Sequence, residues 1–195
     1  MQIVNVLLFE DFTTLDAFGP SEVLGRLKDD FRIDFVSMNG GLVNGSAGTV
    51  VATKAIVEVG NYDIFLLPGG FGTRKMADDA AFIDQVKIFA ETSQHVLSVC
   101  TGSALLAKAG VLKNKRATSN KIAWDWVVQQ DPEVIWIRKA RWTIDGKYYT
   151  SSGITAGIDM ALGFIADKFD DATARRIAKS LEYIWNDDKD NDQCA

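Results

Sequence analysis

Short apolar runs rich in β-branched residues alternate along this chain with segments whose apolar positions recur every three to four residues. That alternation predicts an α/β architecture with a mostly parallel sheet. Ile3 to Phe9 reads as a first buried strand and Arg32 to Met38 as a second. Between them a helix is predicted over Thr13 to Leu27, where Leu15, Phe18, Val23, Leu24 and Leu27 fall near helical spacing and Pro20 suits a first turn. From Asn39 to Thr53 the glycines Gly40, Gly41, Gly45 and Gly48 cut the chain into short extended pieces, as in a hairpin or small antiparallel excursion. Asp63 to Leu67 is a short strand stopped by Pro68-Gly69-Gly70, with a helix expected over Ala81 to Thr92. The next unit is the most sharply drawn: a strand at Val96 to Val99, a turn at Cys100-Thr101-Gly102-Ser103, and a helix over Ala104 to Ala109 closed by Gly110. Further strands are predicted at Arg116 to Ser119, Val134 to Ile137 and Ala140 to Ile144. Lys147 to Thr150 returns from an Asp145-Gly146 turn. Helices are predicted at Lys121 to Gln130, Thr155 to Lys168 and Asp171 to Trp185, the last capped by Asp170 or Asp171.

Composition narrows this picture. With 195 residues, 47% hydrophobic and 24% charged, one core can form without metals or disulfides, and a single domain over residues 1–185 is expected. The acidic segment 186–195 is expected to be disordered. The net charge is −5 with no basic cluster, which argues against nucleic acid as a partner, and no apolar run approaches the ~20 residues of a membrane span. Two cysteines and a start without a basic leader point to a reducing, cytoplasmic setting. One histidine and two cysteines are too few for a structural zinc site.

In open α/β sheets ligands collect beyond the carboxyl ends of the strands, and Cys100 lies there. A cysteine on a tight strand-to-helix turn stands beside free helix N–H groups, whose partial charge favours a thiolate. The competing reading is a structural cysteine packed as a small hydrophobe. His95 precedes Cys100 by five residues on the same strand, roughly 16 Å at ~3.3 Å per residue, so it reads as a surface residue that cannot serve as an intrachain base. An acid–base partner must then be a carboxylate. Asp16, within Leu15-Asp16-Ala17-Phe18-Gly19-Pro20, is an acid among apolar neighbours whose pKa burial would raise; an N-cap role is the equal alternative. The N–H groups of Gly69, Gly70 and Thr101 could form an oxyanion hole, although Pro-Gly-Gly alone is a turn signal. Asp159 lies in a helix of small residues and reads as structural. The five tryptophans are scattered among different elements, and no phosphate loop or dinucleotide fingerprint is present.

Taken together, Leu7-Leu8-Phe9, Leu15 to Pro20, Leu67-Pro68-Gly69-Gly70-Phe71-Gly72, Val99 to Ser103, Arg116-Ala117-Thr118 and Ser152 to Asp159 resemble the ThiJ/PfpI family of the class I glutamine amidotransferase-like superfamily, and most closely its isonitrile hydratase branch. The resemblance runs from Val4 to about Tyr183. It implies a flavodoxin-like three-layer sandwich with a nucleophile elbow, a homodimer, a small-molecule substrate and no cofactor. It further implies catalytic roles for Cys100, Asp16 and Thr101: the sulfur attacks an isocyanide carbon, Asp16 supplies a proton, and water releases an N-substituted formamide. Protease-like relatives carry histidine directly after the cysteine, where this chain has Thr101, so peptidase activity is not expected. Asn120 stands where many relatives have a pocket histidine, which bears on substrate choice. The segment Leu181 to Trp185 lacks the proline-rich ending of the hydratases. Glyoxalase-like or amidase chemistry at the same cysteine is an alternative. So is a redox or ligand sensor working through an exposed, low-pKa Cys100 thiol; the absence of an appended helix-turn-helix argues against a DNA-binding version.

Overall fold

The computed structural model describes all 195 residues. Ten strands and seven α-helices follow in chain order: β1 (Gln2–Leu7), α1 (Thr14–Gly25), β2 (Phe31–Ser37), β3 (Gly41–Asn44), β4 (Val50–Ala55), β5 (Ile64–Leu67), α2 (Thr73–Ala77), α3 (Ala80–Thr92), β6 (His95–Ser98), α4 (Gly102–Lys108), β7 (Arg116–Ala117), α5 (Trp124–Val128), β8 (Ile135–Trp136), β9 (Trp142–Asp145), β10 (Tyr148–Ser151), α6 (Ala156–Lys168) and α7 (Asp171–Ser180). Eight strands form one sheet in the order β3-β4-β2-β1-β5-β6-β10-β9, parallel except for the antiparallel edge pairs β3–β4 and β9–β10. The middle strands are buried on both faces, which is why they read as continuous apolar runs: every residue of β5 is buried. The helices pack in two groups, α1 with α6 and α7, and α2 with α3 and α4, giving the α/β three-layer sandwich expected.

Register decides where the site forms. Leu67 of β5 pairs with Ser98 of β6, and Thr150 of β10 pairs with the same Ser98. Three strands therefore end within one residue of one another, and their following loops, Pro68-Gly69, Val99-Cys100 and Ser152-Gly153, meet at one edge. The β1–α1 loop joins them through the Thr13 N–H, which donates to the Gly69 carbonyl at 2.8 Å.

Several expectations need correction. The strand read at Arg116 to Ser119 is only the two residues of β7, and it pairs with β8 in a separate two-stranded sheet. The helix read over Lys121 to Gln130 is the five-residue α5, and the loop after β5 contains an extra short helix, α2. Pro20 is the seventh residue of α1 and lies in its second turn; having no N–H, it leaves the Asp16 carbonyl without its helical donor. The last helix stops at Ser180, and Glu182 then takes a positive φ of 51°. His95 is half-buried rather than a free surface residue, its ring edge-on to Phe164 at 5.1 Å. The acidic segment 186–195 is not frayed: the Asn186 N–H donates to Asp159, the Lys189 carbonyl accepts from Arg141 and Trp142, and Asp192 is 4% exposed. No helix is long and apolar enough to cross a membrane.

Candidate active site

Cys100 sits between β6 and α4 with φ of 58°, a left-handed conformation that costs a non-glycine residue about 1–2 kcal/mol. The surroundings hold it there. Its N–H is shared by the carbonyls of Ser151 and Ser152 at 3.2 and 3.1 Å, and its carbonyl accepts from the hydroxyls of Ser119 at 2.7 Å and Ser103 at 3.2 Å. This is the geometry of a nucleophile elbow, with the side chain lifted out of the sheet. It requires close approach of the neighbouring loop, and a side chain on Gly69 would press its Cβ to 2.5 Å from the Thr101 nitrogen.

Asp16 is the third residue of α1, whose N-cap is Thr13, so the N-cap alternative does not hold. Its carboxyl is completely buried. Oδ2 accepts the Gly69 N–H at 3.0 Å, while Oδ1 has no N–H or O–H partner. Burial pushes its pKa from 3.8 up to about 7, against the opposing pull of hydrogen bonds from Gly69 and the Cys100 thiol. Cys100 is 6% exposed. Burial, and then the charge of Asp16, push its thiol up to about 12; hydrogen bonds from the Thr101 and Ile154 N–H groups and the Asn120 side chain act in the other direction. The expected exposed, low-pKa thiolate is therefore not what the fold builds. Desolvation outweighs the local N–H groups, and the resting sulfur keeps its proton beside a carboxyl that can take it.

The other predicted residues converge on this point with altered roles. The Gly69 N–H is engaged by Asp16 and the Gly70 N–H by the Thr101 hydroxyl at 3.0 Å, so neither is free as an oxyanion donor. Thr101 Oγ1 also receives the Thr73 hydroxyl at 3.2 Å, tying the elbow to the start of α2. Asn120 Oδ1 accepts the Ala123 N–H at 2.9 Å, which leaves its amide to face the sulfur. A Cβ on Gly153 would fall 2.6 Å from that amide nitrogen. The charge-stabilising groups are thus Thr101, Ile154 and Asn120, gathered at the sulfur.

Cys100, Thr101, Gly70 and Asn120 line a cavity of about 230 Å³ whose remaining wall includes Phe71, Ile122, Ile154 and Arg74. Phe71 and Ile122 are 85% and 99% exposed, so the mouth is apolar. Arg74 lies over the Trp126 ring at 4.4 Å and donates to the Gly70 carbonyl at 3.3 Å. Ile154, Arg74 and Ser119 were not singled out from sequence; only the positive φ of Ile154, 43°, marks its loop, and no local pattern announces it. A larger recess of about 560 Å³ between α1, β2 and α6 is mostly apolar and is lined by neither cysteine. No cluster of His, Cys, Asp or Glu could hold a metal ion.

Comparison with known proteins agrees with this architecture. The model of the DJ-1/PfpI family matches residues 2–167. An isonitrile hydratase from Pseudomonas putida is 33% identical over 181 residues, 92% of this chain and 78% of that protein. Protein/nucleic acid deglycase 2 from Escherichia coli is 26% identical over 122 residues, covering 60% of this chain and 70% of its own. A crystal structure of a ThiJ/PfpI family protein from Pseudomonas syringae superposes with a TM-score of 0.84 at 28% identity, covering 93% of this chain and 75% of that one. On the elbow, the sheet order and these matches, the chain belongs to the DJ-1/PfpI family.

Proposed function

We propose that the protein hydrates isocyanides to N-substituted formamides, with Cys100 as nucleophile and Asp16 as proton carrier. The observation that carries this reading is a completely buried carboxyl beside a buried thiol that lines a small cavity with an apolar mouth, with no histidine near the pair. His95, the single histidine, lies at the start of β6 while Cys100 follows its end, so a Cys–His pair is not available within the chain. The similarity to the isonitrile hydratase supports the reading.

The isocyanide carbon is electrophilic toward sulfur and, once attacked, basic enough to take a proton. The singly protonated pair therefore suits the first step. The Asp16 carboxylate takes the thiol proton as the sulfur bonds to carbon, then delivers it to that carbon, giving R–N=CH–S–Cys100. Negative charge that develops on sulfur is met by the Thr101 and Ile154 N–H groups and the Asn120 amide. In the second step water adds to the thioimidate carbon while Asp16 takes one of its protons. Nitrogen gains a proton, the C–S bond breaks and the thiol is restored, so one water and one isocyanide become one formamide. The apolar rim favours a short alkyl or cyclic substituent over a polar one.

Incubation with cyclohexyl isocyanide, followed by formamide release, tests this. Turnover by the wild type and its loss in Cys100→Ala are expected. No formamide from any small isocyanide would overturn the reading, and turnover of methylglyoxal instead would favour the glyoxalase-like alternative.

A further inference from the structure

A second recess, of about 340 Å³, adjoins the Cys100 cavity and shares Asn120, Ile122 and Ile154 with it. Its far wall is cationic. Lys121, 9% exposed, donates from Nζ to the Thr118 hydroxyl and to the Ala140 carbonyl, each at 2.8 Å, which leaves one N–H to spare. Arg141 stands beside it with a side chain 12% exposed. Two carboxylates answer these cations, and they are held very differently. Asp159 is fixed: it accepts Arg141 Nε at 2.7 Å, the Tyr183 hydroxyl at 3.0 Å and the Asn186 N–H at 3.0 Å. Asp192, from the acidic segment, is held by its backbone, whose N–H donates to the Lys139 carbonyl at 2.7 Å, but its carboxylate is loosely paired. Its Oδ1 takes only a 3.4 Å contact from Arg141 and the Cys194 N–H at 3.1 Å. Its Oδ2 lies 3.8 Å from Lys121 Nζ and has no hydrogen bond at all, although the side chain is 1% exposed.

A buried carboxylate oxygen without a donor, facing a buried ammonium with a donor to spare, is a poor mutual fit, since each unmade charged hydrogen bond forfeits interaction that water would have supplied. Asp159 alone saturates the Nε and one Nη of Arg141, so the second anion position is set by Lys121 and Arg141 Nη1. We propose that this Lys121–Arg141 recess is a binding subsite for a small-molecule carboxylate, filled in this structure by the chain's own Asp192 and continuous with the Cys100 cavity. A compound with its electrophilic carbon at Cys100 and a carboxylate at its far end would span both recesses once Asp192 withdraws. The assignment stands whichever reaction Cys100 performs.

N-(Iodoacetyl)-4-aminobutyrate and its neutral amide, N-(iodoacetyl)-4-aminobutanamide, test it, because they share one electrophilic carbon and differ only by a carboxylate at the far end. Alkylation is read at the Cys100 peptide by mass spectrometry near neutral pH, where Lys121, brought down to about 8 chiefly by burial, still carries charge. In Asp192→Ala the ratio of the carboxylate reagent's rate to the amide reagent's rate at Cys100 is expected to rise at least ~fivefold over wild type, as an opened cationic site predicts. Millimolar propionate, and not chloride at equal ionic strength, is expected to raise the melting temperature of that variant and leave wild type unmoved. Where Asp192→Ala does not fold, Asp192→Ser, which also removes the carboxylate and shortens the side chain, is expected to give the same two readings. An unchanged ratio, an equal acceleration of both reagents, or a response to propionate no larger than to chloride overturns the subsite.

Discussion

Replacing Asp16 by asparagine isolates the energetic consequence of burying this carboxyl. The side chain is completely buried, and its pKa rises from 3.8 in the unfolded chain to about 7 in the fold. The native state therefore binds a proton that the unfolded state releases, and the sign follows: no penalty exists below the unfolded pKa, and stability is lost as pH rises toward the folded one. The full displacement is about three pKa units, or about 4 kcal/mol at 1.36 kcal/mol per unit. Integrated between about pH 4.5 and about pH 7.5, the wild type should lose about 3 kcal/mol relative to Asp16→Asn, which keeps an acceptor for the Gly69 N–H and carries no charge. Urea unfolding of both proteins at four pH values across this range measures the difference directly. Wild type and variant are expected to diverge as pH rises, with the variant more stable above neutrality and its hydration activity reduced by about 10²–10⁴, the usual contribution of a positioned acid–base group. Parallel stability curves would refute the claim that Asp16 is a desolvated, proton-exchanging group.

The same pair sets the pH dependence of activity. Since the first step needs an ionised Asp16 beside a protonated thiol, kcat/KM for cyclohexyl isocyanide should rise about tenfold per pH unit below about 7 and level off above it, short of the thiol's own titration near 12. A profile that falls through neutrality would mean that Asp16 enters as an acid instead. Gly153→Ala should displace the Asn120 amide, 2.6 Å from the added Cβ, and slow alkylation of Cys100 by iodoacetamide as Asn120→Ala does; the double variant should be no slower than either single one. Ser119→Ala removes the shorter of the two hydroxyl contacts to the strained Cys100 carbonyl and should cost about 1–2 kcal/mol in urea unfolding, with a loss of activity larger than that of Ser103→Ala.

Much of the sheet was legible because β1, β5 and β6 are largely apolar runs bounded by turns, and strands covered on both faces need little else, while β2 carries enough β-branched and aromatic residues around Arg32 and Asp34 to read as a strand. The region from Arg116 to Trp136 was not, because β7, β8 and α5 are two to five residues long, too short for a period to establish itself. The pairing of Cys100 with Asp16 could be reached from position alone: both follow parallel strands, and strand ends gather at one edge. The state of that pair could not be reached this way. A cysteine beside helix N–H groups reads as a thiolate, yet at 6% exposure desolvation dominates, and burial is a tertiary quantity. The oxyanion reading of Gly69 failed for a related reason, since which N–H remains free depends on Asp16, 53 residues away in the chain. The segment 186–195 looked like a solvated acidic stretch because its anchors, Arg141 and Asp159, lie far from it in sequence.

The proposed hydration depends on a covalent bond between the Cys100 sulfur and the isocyanide carbon. A single turnover with cyclohexyl isocyanide, quenched in acid and read by peptide mass spectrometry, should show the Cys100 peptide heavier by one whole isocyanide, with the adduct absent from Cys100→Ala and decaying as formamide forms. Formamide produced at the wild-type rate by Cys100→Ala, with no adduct on the native enzyme at any quench time, would contradict it.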